Sequence, residues 1–164
     1  MSLLTVRDLR VTFDTESGPV QAVRGLSFAL DRERLGIVGE SGSGKTMTGR
    51  AILRLIRPPG RVEAAEMTFD GVDLLGASDA QMRALRGPRI AMVMQDPKYS
   101  LNPVMRVGAQ LTEGLRRRDR LGAADARRRA VAALEAVQIR DPERVMQAFP
   151  HELSGGMGQR VMIA

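Results

Sequence analysis

From Ser2 to Phe13 the apolar residues recur around Leu4, Val6, Leu9, Val11 and Phe13, the alternation expected of a strand. Thr15-Glu16-Ser17-Gly18-Pro19 reads as a turn, and Val20 to Leu30 supplies a second strand pattern. An antiparallel hairpin is therefore predicted ahead of residue 35. Leu35 to Val38 is a short apolar run of strand type, and Met47 to Leu55 reads as a helix that Arg57-Pro58-Pro59-Gly60 stops. Val62 to Phe69 reads as a strand, and Asp70-Gly71 predicts a tight turn into Val72-Asp73-Leu74. Ser78 is placed to cap a short helix reaching Leu85, which Gly87-Pro88 breaks. Arg89 to Met94 is a continuous apolar run of the kind buried on both faces of a parallel sheet.

Beyond Ser100 the period becomes helical. Val107 to Arg118 predicts an amphipathic helix, and Ala123 to Ile139 a second, with Ala130, Val131, Leu134 and Val137 on one face. Asp141-Pro142 opens a third by the N-cap and Pro-at-N1 rule, and Pro150 closes it. Ser154 then caps a helix that becomes apolar at Val161-Met162-Ile163-Ala164. The pattern is α/β: an antiparallel β region over 1–34, an α/β core over 35–98, and a helical block over 99–164 inserted after a core strand.

Composition adjusts this picture modestly. With 164 residues, the chain fits one domain of ordinary size. Aromatic residues are only 3 %, so the core has to be aliphatic and methionine-rich. Cysteine is absent, which excludes disulfides, thiol catalysis and cysteine metal sites. Arg7, Asp8 and Arg10 interrupt any apolar leader, and no stretch has the length to span a bilayer. The chain reads as soluble or peripheral. The net charge of +6 is nearly all arginine, with clusters at Arg116–Arg118 and Arg127–Arg129. These fall on predicted helices with no interleaved aromatics to stack on bases, so a solvated helix face is expected rather than a nucleic-acid site.

The chemistry concentrates between Leu35 and Leu55. Gly39, Gly44, Lys45 and Thr46 fit G-x-x-x-x-G-K-[ST], between a strand-type run and a helix, as a phosphate-binding loop requires. Gly42 and Gly44 can adopt backbone angles closed to other residues, so successive N–H groups can turn toward an anion. The helix behind adds unpaired N–H groups and the positive end of its dipole. The motif assigns Lys45 to the β- and γ-phosphates and the Thr46 hydroxyl to Mg²⁺. A nucleoside triphosphate is the expected ligand.

Other candidates are more open. Gln95 and Asp96 end the apolar run over 89–94, where residues past a strand's carboxyl end line the ligand crevice. Gln95 could ligate Mg²⁺ or orient the attacking water. Asp96 could serve as a metal carboxylate, or both could simply form the Asp-Pro turn. Phe13 reads equally as a platform for adenine or as ordinary strand packing. His151, the only histidine, is expected to be structural, with no second residue of a catalytic pair adjacent. Ser154-Gly155-Gly156-Met157 opens a helix with two glycines in its first turn, each costing about 1 kcal/mol against Ala. Met157 stands where a capping box would put Glu or Gln, so this helix start carries no anionic side chain and reads as a second anion site.

Two phosphate sites, a glutamine strand end and a helical insertion together resemble the ATP-binding subunit of an ABC transporter. The residues are GESGSGKT at Gly39–Thr46 (Walker A), Gln95 (Q-loop) and LSGGM at Leu153–Met157 (signature). Within that family, MVMQDPKYSLNPVMRVGAQ at Met92–Gln110 and FPHELSGGM at Phe149–Met157 look like the dipeptide, oligopeptide and nickel importers. The resemblance covers essentially the whole chain and implies a P-loop NTPase with an N-terminal antiparallel β subdomain and an inserted helical subdomain. It implies ATP and Mg²⁺ held head to tail between two such subunits, homo- or heterodimeric. Gly39, Ser41, Gly42, Ser43, Gly44, Lys45, Thr46 and Met47 of one would face Ser154, Gly155 and Gly156 of the other. Phe13 matches the position of the adenine-stacking aromatic, and Thr46 and Gln95 would ligate the metal. Permease subunits would dock near Pro97–Met105, at the cytoplasmic face of the membrane.

Two departures stand out. Gly158 occupies a position where the family usually has a long polar residue, which puts local helix stability in question. The Walker B Asp, catalytic Glu and switch histidine of the family are not in these 164 residues. A truncated chain with an incomplete core sheet, which binds ATP without hydrolysing it, is the expectation. A small P-loop kinase with Asp96 on the metal is the rival, weakened by the second glycine-rich site.

Overall fold

A computed structural model describes residues 2–94 and 100–164. The chain divides into two compact units, 1–91 and 92–164.

The first unit is built on a long hairpin, β1 (Leu4–Thr15) against β2 (Gly18–Leu30). On its other side β1 pairs antiparallel with β3 (Gly60–Glu63) and β4 (Glu66–Phe69), and β4 turns back into β5 (Val72–Asp73). The apolar pattern of β1 explains an irregularity in it. Val6, Leu9 and Val11 are all fully buried, although Val6 and Leu9 are an odd number of residues apart. Strict alternation would put them on opposite faces. Asp8 between them adopts φ 51°, and the β1–β2 register shifts there, so the pleat skips and both residues face the core. The predicted single strand Val62 to Phe69 is correspondingly two. β3 and β4 keep one register against β1, interrupted at Ala64-Ala65, opposite Asp8 and Leu9. The Asp70-Gly71 turn takes positive φ at both positions, 48° and 78°, as a tight hairpin needs.

Helix α1 (Lys45–Ile52) and helix α2 (Asp79–Leu85) complete this unit. Ser78 caps α2 as its sequence predicts, with Gln81 closing the capping box. Arg86 donates from Nε to the Leu53 carbonyl (2.8 Å) and from Nη2 to the Arg54 carbonyl (3.1 Å). A guanidinium thereby satisfies carbonyls that the end of α1 leaves without helical partners.

Two predicted strands do not form. Residues 35–40 and 91–94 have no regular structure and 41–44 are turn and bend, with all of 35–44 exposed except the half-buried Gly44. Val38 is 97 % exposed and Val93 59 %. The cause is hydrogen bonding. An apolar run suited to burial on both faces is a strand only between two neighbours. Among the described residues, a single bridge from Arg86 to Ile90 is all that pairs with either run.

The second unit is helical: α3 (Val107–Asp119), α4 (Ala123–Ala136), α5 (Pro142–Gln147) and α6 (Gly155–Ile163), with a 3₁₀ turn at Pro150–Glu152. Val107, Ala130, Leu134, Ile139, Val145, Met146 and Val161 form its core. Asp141 caps α5 through the Arg144 N–H at 3.1 Å, with Pro142 at the first position. The arginine clusters form an exposed, ion-paired face. Arg117 meets Glu113, Arg128 meets Asp125, Arg127 meets Glu143, and Arg118 and Arg129 converge on Asp119. Hydrogen bonding from Arg118 holds the Asp119 carboxyl below its ordinary range, with Arg129 adding to the effect.

Leu134→Ala should cost about 2–5 kcal/mol in urea unfolding, since it opens a cavity in the helical core. Val38→Ala should stay within about 0.5 kcal/mol, because its side chain packs on almost nothing in this chain.

Candidate nucleotide-binding site

The phosphate loop is pinned to the hairpin by one close approach. Gly44 has φ 91°, and a Cβ on it would lie 2.3 Å from the Ala22 carbonyl of β2. Only glycine fits both the left-handed backbone and the missing space. Gly42 also turns through positive φ, 83°. The Ser43 N–H bonds back to the Glu40 carbonyl at 3.2 Å, closing the loop on itself. Lys45, the first residue of α1, curls over this turn and donates to the carbonyls of Gly39 and Glu40, both at 2.6 Å, and to Ser43 Oγ at 3.3 Å. Its ammonium is thus held at the loop, still exposed, with positive charge available to an anion.

Behind the lysine, α1 starts without a side-chain cap or an acidic residue in its first turn. Its terminal N–H groups and dipole remain available to a phosphate. Thr46 is exposed in that turn and offers one neutral hydroxyl. That suits Mg²⁺, which keeps most of its shell as water and phosphate oxygens. Thr48, which the motif reading overlooked, is 2 % exposed, and its Oγ1 donates to the Gly44 carbonyl at 3.1 Å. A cavity of about 480 Å³ runs between β2 and the loop, lined by Arg24, Ile37, Val38, Ser43 and Lys45 among others.

The other predicted residues are placed differently. Phe13 lies in β1 opposite Gly60, and a Cβ on Gly60 would come within 2.7 Å of its ring. The ring packs on that glycine beside the aliphatic core and does not line the cavity at the loop. Gln95 and Asp96 lie outside the described residues. Ser154, Gly155 and Gly156 belong to the second unit, where Ser154 Oγ accepts from the Met157 N–H at 3.3 Å and caps α6. The helix continues through Gly158, which is buried. Both Gly155 and Gly156 are exposed, with no atom within 4 Å of a Cβ built on either. His151 stacks its ring on Phe149, centroids 5.7 Å apart.

Comparison with known proteins bears on this arrangement. The family described as ABC transporter matches residues 23–164. Over 164 residues the chain is 51 % identical to the oligopeptide transport ATP-binding protein OppD of Bacillus subtilis, covering 99 % of this chain and 46 % of that one. It is 46 % identical to the dipeptide transport ATP-binding protein DppD of Escherichia coli, covering 100 % and 50 %. The chain spans about half the length of the curated relatives it matches. In fold it is similar to the dimeric bacterial ABC transporter cassette MJ0796, with a TM-score of 0.77 at 24 % identity over 98 % of this chain and 67 % of that one. A structure of that cassette bound to ADP and Pi gives 0.75 at 22 % identity, with the same coverage.

Gly44→Ala should destabilise the first unit by at least about 1–2 kcal/mol from the left-handed backbone alone, before the clash with Ala22 is counted. Thermal unfolding of the variant beside Gly42→Ala, whose Cβ would meet nothing within 4 Å, separates strain from collision.

Proposed function

Because this chain belongs to the ABC transporter family, we propose that it is the ATP-binding region of a peptide-importer ATPase, a peripheral subunit at the cytoplasmic face of the membrane. ATP with Mg²⁺ binds at Gly39–Met47 and is closed over by Ser154, Gly155 and Gly156 of a second ATPase subunit. Closure and reopening of that pair drive the permease subunits.

The observation that carries this reading is the environment of the two signature glycines. Neither has positive φ, and neither is crowded by any described atom. Nothing among the described residues calls for glycine there, while each weakens the first turn of α6. Their smallness serves something outside the chain that approaches the helix end closely, and bare N–H groups at a helix start favour a phosphate.

At the loop, Lys45 provides charge to the β- and γ-phosphates and Thr46 a hydroxyl to the metal. The chemistry that bound Mg²⁺ supplies is charge neutralisation across those phosphates. Gln95 is the candidate for orienting the attacking water, and Phe13 for contact with the base. The residues from Gly39 to Met47 supply one acid, Glu40, whose position precedes the glycine turn, and no assigned proton acceptor. ATP binding is the activity proposed for these 164 residues, with negligible turnover on their own as the expectation to be tested.

A fluorescent ATP analogue should bind the chain, and Lys45→Ala should abolish that binding. Gly155→Ala and Gly156→Ala should leave binding to the isolated chain unchanged and raise its stability by about 0.4–1 kcal/mol each. The same substitutions should lower ATP-dependent pairing in sedimentation at least tenfold, one decade being a modest loss for a blocked phosphate contact. Undiminished pairing in both alanine variants would overturn the two-subunit site. Robust Lys45-dependent hydrolysis by this chain, lost in Asp96→Ala but kept in Gln95→Ala, would favour the kinase-like reading instead.

A further inference from the structure

The helical unit contains a second cavity, of about 750 Å³, built by the segment 138–141, α5, the stretch 147–153 and the first turns of α6. Its floor is apolar, with Ile139 and Val145 buried and Phe149, Leu153 and Met157 more open. Its rim carries four arginines: Arg106, Arg140, Arg144 and Arg160. The ion pairs of the described residues use none of these four. Arg106 donates to the Gln147 carbonyl at 2.7 Å and lies 5.2 Å over the Phe149 ring. Arg160 donates to the Gln138 carbonyl at 3.0 Å. Those bonds hold both guanidiniums in place without neutralising them.

Two carboxylates also line the cavity, and both are engaged by backbone. Asp141 accepts from the Arg144 N–H at 3.1 Å, and Glu152 from the Phe149 N–H at 2.7 Å. Four guanidiniums against two committed carboxylates leave the site positive. Guanidinium forks match carboxylate and phosphate oxygens, an apolar floor suits an apolar body, and the volume lies in the range of small-molecule sites. None of the lining residues belongs to the ATP site proposed above, yet Met157 and Arg160 sit on the helix that presents Ser154 to Gly156.

We propose that this cavity binds a small amphipathic anion, a carboxylate or phosphate monoester on an apolar chain, which lies against the signature helix. Such a group could arrive as a free solute or as a lipid headgroup. The test uses the 164-residue chain and decyl phosphate below its micellar concentration, followed by calorimetry and by the ¹³C-methyl resonance of Met157, assigned through Met157→Leu. Saturable binding that shifts the Met157 signal is expected. The double variant Arg140→Gln/Arg144→Gln should weaken it about tenfold or more, since a charge-assisted bond is worth at least a decade in affinity, with thermal stability unchanged. Decanol and decyltrimethylammonium should bind the native chain at least as weakly. Equal binding of decanol, an unmoved Met157 signal at saturation, or undiminished affinity in the double variant would each overturn the proposal. Binding to phosphatidic acid vesicles that the double variant loses identifies the headgroup as the source. Binding to decyl phosphate alone identifies a free solute.

Discussion

The approach of Gly44 to the Ala22 carbonyl is the contact on which the proposed nucleotide site rests. Few other links fix the loop. Residues 35–44 are not held in a sheet, and apart from that glycine they are exposed, so the position of the loop is set by where β2 stands and how closely Gly44 lies upon it. β2 in turn is an edge strand that depends on β1, whose Val6, Leu9 and Val11 are fully buried. From this follows the order of dependence: the aliphatic core fixes β1, β1 fixes β2, and β2 fixes the turn that starts α1. Thr48 adds a local tie by bonding its hydroxyl to the Gly44 carbonyl one turn back.

What was legible in the sequence was mostly what is decided within a few residues. The caps at Ser78, Asp141 and Ser154 form because their oxygens reach N–H groups three positions on. The Asp70-Gly71 turn forms because both residues tolerate positive φ. The glycine turn at Gly42 and Gly44 was legible for the same reason, both glycines taking the positive φ their type permits. The runs at 35–38 and 89–94 failed as strands because a strand is decided by partners far away in sequence, which local apolarity cannot reveal. The skip at Asp8 was present in the spacing of Val6 and Leu9, but alternation alone does not say where a pleat breaks. The arginine rim of the helical cavity was illegible, since Arg106 and Arg160 meet it from segments more than fifty residues apart.

Arginine serves three different ends here, which net charge alone would merge. Arg117, Arg118, Arg127, Arg128 and Arg129 are paired with carboxylates in exposed ion pairs, each worth little to stability. Arg86 spends its donors on the carbonyls that end α1. Arg106, Arg140, Arg144 and Arg160 have no carboxylate partner among the described residues and gather around apolar surface. Of the three, only the last group gathers carboxylate-free charge around a cavity.

Glycines divide along a similar line, and the division supports the two-subunit reading better than the motif does. Gly44 is required from inside, by its backbone angle and by Ala22, and Gly60 by the ring of Phe13 and the side chain of Ile56. A fold would keep those glycines whether or not any nucleotide came. Gly155 and Gly156 meet no such demand: their backbone is ordinary helix, and the space a methyl would fill is open. An alanine there would strengthen the helix. A residue that weakens its own element and relieves no contact among the described residues supports the proposed contact from outside them, and the N–H groups of Gly155 and Gly156 at that helix start favour an anion there.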